Sequence, residues 1–194
     1  MKKLMLCLLI MLCFMFAVSV GSASANSPAT EASVKQVLIL PHINSTEETK
    51  EYIGETVQEN FTQQFANEKY QTVPADKVQS ILSADQYDPS NLELPDNELM
   101  RKLAQATGAD YVIAMEIVHF MNSRHASFFS TSAKSEVKIR YKVYSKGADK
   151  ITTFQTTGKG NNKVTSIGVP GIGTAMKRGI TEAMEAAFVK IEKL

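Results

Sequence analysis

The chain has 194 residues, 44% of them hydrophobic, and 21 Lys+Arg stand against 20 Asp+Glu. That balance supplies no global field to gather nucleic acid or an anionic membrane, and the length suits one domain with a real core. The only cysteines, Cys7 and Cys13, fall in the first 25 residues, so the remainder excludes disulfides, thiol catalysis and thiolate metal sites.

Lys2 and Lys3, the uncharged apolar run Leu4 to Val20 and the small residues Ala23-Ser24-Ala25 predict a secretory signal over residues 1–25, cut before Asn26. Leu6 and Leu12 precede the two cysteines where a lipoprotein cysteine follows a small residue. No lipid anchor is expected, and no integral membrane insertion after cleavage. Residues 26–33 are small and polar and read as a flexible leader, with a single α/β domain over 34–194. The expected location is outside the cytoplasm: periplasmic where the cell has an outer membrane, otherwise extracellular.

Val37-Leu38-Ile39-Leu40 is a continuous apolar block stopped by Pro41, the pattern of a strand covered on both faces. A turn-rich stretch follows, and Ser45 with Glu48 fits a capping box for a helix whose apolar face is Ile53, Val57, Phe61 and Phe65. Tyr70 to Val73 can form a short strand. Pro74 opens a helix carrying Val78, Ile81 and Leu82, and residues 85–95 make a loop. Asp96 is the expected N-cap of a third helix, bearing Leu99, Leu103 and Ala106, that Gly108 ends. Tyr111 to Phe120 reads as a long strand and residues 122–135 as a polar connection. Val137 to Val143 alternates with Lys138, Arg140 and Lys142, and Ile151 to Thr157 follows as a threonine-rich strand. The five glycines of 158–173 suggest a long connection without strand pattern. The last helix presents Met176, Ile180, Met184, Ala187, Phe188 and Ile191 on one face.

Right-handed crossovers turn this element order into a mixed five-stranded sheet of order 2-1-3-4-5. It has a parallel half, an antiparallel meander and helices on both faces.

Three segments carry a family resemblance: Val37-Leu38-Ile39-Leu40-Pro41 with Asn44, Tyr70-Gln71-Thr72-Val73 leading into Val78-Gln79-Ser80-Ile81-Leu82, and Gly108-Ala109-Asp110-Tyr111-Val112-Ile113. In this order the chain resembles the cell-envelope α/β superfamily that includes the TolB amino-terminal domain, CsgG and LpoB, over about residues 34–194. The resemblance implies an exported, non-enzymatic part of an envelope machine. The chain departs from it in lacking the lipidated cysteine of CsgG-like and LpoB-like proteins and a propeller of the TolB kind.

Candidate chemistry is sparse. Gly168-Val169-Pro170-Gly171-Ile172-Gly173 precedes the last helix, where Gly171, Gly173 and Thr174 could offer N–H groups to an anion. The spacing matches no phosphate-binding motif, and a flexible connection explains the glycines equally. His42, His119 and His125 lack zinc-site spacing, the acidic loop from Asp85 to Glu98 lacks the glycine of a calcium loop, and no nucleophile elbow occurs. No catalytic residue, metal or cofactor is therefore expected. Lys138, Arg140 and Lys142 share a strand face, where they either grip an anionic partner or pair with Glu116 and Glu136. Phe128 and Phe129, in the polar connection, either mark a partner contact or fold back on a helix.

The sequence thus points to an exported, non-catalytic accessory or adaptor protein of the cell envelope, binding a protein partner through Phe128, Phe129, Lys138, Arg140 and Lys142. The alternatives are a CsgG-like secretion-channel subunit, or a small-ligand or anion-binding protein using the 158–173 loop. Homo-oligomerisation stays open, and no nucleic-acid partner is expected.

Overall fold

Strand β1 (Lys35–Ile39) lies at the middle of the parallel half of the sheet, and Val37 and Leu38 in it are fully buried. The computed structural model describes residues 34–126, 130–164 and 169–194. The expected signal peptide and leader, Phe128, Phe129 and Gly168 lie outside the described residues. After β1 come β2 (Ile43–Asn44), α1 (Glu51–Phe65), β3 (Tyr70–Thr72), α2 (Ala75–Ala84), a single 3-10 turn at Pro89–Asn91 and α3 (Asn97–Thr107). The long strands β4 (Tyr111–Ala126), β5 (Thr131–Ser145) and β6 (Lys150–Val164) then precede α4 (Ile172–Ile191).

The sheet runs β3-β1-β4-β5-β6, parallel through β3, β1 and β4 and antiparallel through β4, β5 and β6. This is the expected strand order and fold class. A sixth strand, β2, comes from the stretch read as a turn and pairs in parallel with Glu116 and Ile117 of β4. Asp110 joins the parallel strands: its Oδ2 accepts from the Gln36 N–H at 2.8 Å, and its own N–H donates to the Gln36 carbonyl at 2.7 Å.

Two apolar layers enclose the sheet. Val37, Ile113, Met115 and Ile139 meet α1 and α4 on one face, while Leu38, Val112 and Ala114 meet α2 and α3 on the other. The third helix is capped as its sequence implies: Asp96 Oδ1 accepts from the Leu99 N–H at 2.8 Å, and Gly108 closes it at φ 76°. Its buried face is Met100, Leu103, Ala104 and Thr107, with Ala106 turned to solvent.

Three local expectations fail. The Ser45–Glu48 capping box does not form, because Ser45 Oγ donates instead to Glu116 Oε1 at 2.7 Å; α1 starts only at Glu51. Residues 122–135 are largely strand, since β4 runs on to Ala126 and β5 begins at Thr131. The 158–173 segment is not one loop either: β6 continues to Val164, with Gly158 opposite Val137 and Gly160 opposite Ser135. Those glycines are there for packing. A Cβ on Gly160 would fall on the Ala175 carbonyl, and one on Gly158 on the Gly179 carbonyl, so the bare backbones let α4 lie directly on β6.

One irregularity matters later. Ile117 pairs with Ile139 but His119 pairs with Lys138, so Val118 is the extra residue of a β-bulge.

Candidate partner-binding face

Because α2 and α3 cover only the inner part of their sheet face, its outer part, built by β4, β5 and β6, is open. Alternation assigns it Glu116, His119, Met121, Ser123 and His125 from β4, facing Lys134, Glu136, Lys138, Arg140 and Lys142 on β5. Thr153, Gln155, Thr157, Lys159, Asn161 and Lys163 of β6 complete it, and all six are exposed. Met121 is 55% exposed, one of the few large apolar side chains so placed among the described residues.

The expected lysine–arginine row is therefore real, but its members differ. Arg140 Nη2 sits 2.8 Å from Glu116 Oε2, in a cross-strand pair whose carboxylate is almost entirely buried and also accepts from Ser45. Lys142 donates to the Pro95 carbonyl at 2.6 Å, and burial lowers its pKa, with Asp96 partly offsetting that. Lys138 and Lys159 share one acid, at 3.9 and 3.8 Å from Glu136. Lys134 and Lys163, on adjacent strands, form no ion pair within the described residues. The inner end of the row is thus structural and its outer end carries unbalanced positive charge. Sequence reasoning missed Lys134, Lys159 and Lys163. The only available signal was period-two placement in segments whose other residues are small.

The glycine-rich helix entry has structural occupations. The Gly171 carbonyl accepts from Asn162 Nδ2 at 3.2 Å, Gly173 packs on the Tyr52 ring, and Thr174 Oγ1 lies beside Gly171. The three residues proposed for an anion do share the start of α4, with Lys177 drawn over the Tyr52 ring at 5.6 Å. The histidines are dispersed: His119 and His125 are exposed on the open face, while His42 is half-buried against Gly54. Among the described residues no group of three His, Asp or Glu side chains comes together.

Burial lowers the pKa of His42 below its ordinary 6.5. The unfolded chain then binds this proton more readily, so the contribution of His42 to stability is complete above about pH 6.5 and is lost as pH falls toward the folded-state pKa. The urea midpoint should fall between neutral pH and about pH 5, and fall less in His42→Gln. Equal slopes in the two proteins would remove His42 as the cause.

No protein-family model matches the sequence, and no curated protein sequence matches it. Among solved structures, a hypothetical protein from Chlamydia trachomatis is similar in fold, with a TM-score of 0.51 at 17% identity over 81% of this chain and 95% of that one. A lipoprotein from Neisseria meningitidis aligns with a TM-score of 0.46 at 14% identity, over 82% of this chain and 99% of its own. The LpoB C-terminal domain from Salmonella enterica aligns with a TM-score of 0.37 at 11% identity, over 64% and 82%.

Proposed function

We propose that this chain is an exported, non-catalytic accessory or adaptor protein of the cell envelope that binds an acidic protein partner through the open face of β4, β5 and β6. The observation that carries the reading is the excess of lysine on a sheet face left bare by helices. Among the described residues, six Lys and Arg side chains share it with only Glu116 and Glu136, and Glu116 is already committed to Arg140. Such a face is hydrated and cheap to leave exposed, yet it selects partners by charge. Export rests on the basic start, apolar run and Ala-x-Ala site of residues 1–25. Phe128 and Phe129, in the connection between β4 and β5, are proposed to add aromatic anchors to the same contact.

A channel subunit is the weaker reading. The strands exceed the ~9–11 residues that cross a bilayer, but a lipid-facing surface would have to accommodate Lys134, Lys138, Lys159 and Lys163. No helix among the described residues is long and apolar enough to cross a membrane.

The test reverses charge where the one ion pair lost is the exposed 3.8 Å contact of Lys159 with Glu136, a pair that contributes little to stability. Lys134→Glu, Lys159→Glu and Lys163→Glu combined should leave the thermal midpoint nearly unchanged, as exposed sites usually do. The same change should weaken capture of the envelope partner by at least about tenfold. A folded triple variant that recovers the same partner equally well would move the site elsewhere.

A further inference from the structure

The two free edges of the antiparallel half are treated differently. Along β6 the backbone is guarded by α4: Lys190 Nζ donates to the Gln155 carbonyl at 3.2 Å, Glu182 Oε2 accepts from the Lys159 N–H at 2.8 Å, and Arg178 Nη1 donates to the Asn161 carbonyl. Side chains thus occupy the groups through which another strand would add, a usual defence of a long edge. Among the described residues the opposite edge has no such guard. β2 pairs with β4 only at Glu116 and Ile117, and the last backbone bond there runs from the Ser45 N–H to the Ile117 carbonyl. Beyond it, no strand of the described residues pairs with the outer side of β4 as far as Ala126.

Ladder alternation identifies the groups that are presented. The Ile113 and Ile117 carbonyls point outward, toward β1 and β2. The bulge at Val118 shifts the phase, and because Phe120 lies opposite Val137, the outward backbone groups beyond it belong to Phe120, Asn122 and Arg124. A hollow of about 470 Å³ between residues 45–48 and 118–120 separates the start of this edge from the neighbouring loop. Asn122 Nδ2 bonds across to Glu48 Oε1 at 3.1 Å, leaving its main chain free for another partner.

We propose that an extended, acidic segment of a partner protein adds to the sheet as a strand along β4 from Phe120 to Arg124. The proposal rests on the reading of the open face as a protein-binding surface and specifies how the partner is held. Main-chain hydrogen bonds to the edge supply the register, and alternate side chains fall on the open face. Strands lie about 4.8 Å apart, so an added strand would stand about 10 Å from β5, a gap that a lysine and a glutamate side chain span together. Lys134 thereby selects carboxylates at alternate positions, and Met121 offers an apolar contact between them. A second copy of this chain is the poorer occupant. Two β4 edges side by side would bring His119, Arg124 and His125 against their own kind, without an acid among residues 119–126.

The probe is a short capped peptide alternating glutamate with valine and threonine, titrated against the full mature chain beside the same peptide N-methylated at alternate residues. Binding is expected for the first and at least about tenfold weaker binding for the second, because N-methylation removes the backbone donors and keeps the charge. Amide exchange should slow at Phe120, Asn122 and Arg124 when the peptide binds. Arg124→Pro, which removes an outward N–H without touching the β5 ladder, should match the effect of N-methylation, whereas Arg124→Gln should not. If the proline variant does not fold, the methylated peptide still asks the question of the unaltered chain. Equal binding of both peptides overturns strand addition and leaves the charged face standing. Failure of the peptide to bind while the lysine variants still lose their partner does the same. Binding of inorganic polyphosphate in place of the peptide, with lysine dependence, overturns both and makes the face a polyanion site.

Discussion

Gly160→Ala is expected to destabilise the protein by about 3 kcal/mol, the upper part of the usual range for overpacking. The new methyl would land on the Ala175 carbonyl and crowd the Gly179 N–H, both main-chain groups of α4. Neither can turn aside as a side chain would, so the helix has to lift from the sheet. Lifting it also loosens Met176 and Ile180 from the core and breaks the bonds of Arg178 and Glu182 to the β6 edge. Gly147→Ala is the control, since nothing lies within 4 Å of a Cβ there and its φ is not positive. The denaturant midpoint decides between them; an unchanged midpoint for Gly160→Ala would mean that α4 does not rest on β6.

Leu38→Ala should cost about 2–5 kcal/mol, the range for deleting a buried leucine side chain. Leu38 has no exposed surface, and it packs in the layer with Val78, Leu82, Met100 and Leu103, two helices closing over one strand residue. The cavity cannot collapse easily, because β1 is held on both sides, by β3 and by β4. A thermal midpoint that moves no further than for an exposed substitution would take β1 out of the centre of the sheet.

These two residues also mark the limits of sequence reading. Leu38 was legible because a double-covered strand must be apolar at successive positions, and Asp96 and Gly108 were legible because caps are local chemistry. Gly158 and Gly160 were misread because a glycine that admits a helix looks the same in sequence as a glycine that frees a loop. The outer part of β4 and β5 was hidden for a related reason. There α4 approaches a surface of Asn122, Ala133, Ser135 and glycine, so the covered side carries small residues and the usual apolar alternation disappears. Ser45 failed differently: its hydroxyl bonds to Glu116, distant in sequence, which no local motif announces. The candidate face followed the same division, with Lys138, Arg140 and Lys142 visible against valines and isoleucines. Lys134, Lys159 and Lys163 disappeared among serines and glycines.

The extra residue Val118 gives β4 two phases. Up to Ile117 the odd positions take the side of the sheet that meets α1 and α4, and after it the even ones take that side, beginning with Phe120. The three long strands therefore behave like a text read in pairs of letters. A change of one residue in any of them would exchange the wetted and covered sides of everything beyond it, while a change of two would leave both intact. Divergence in the length of this ribbon should consequently proceed in even steps, with the bulge as the single odd step already taken.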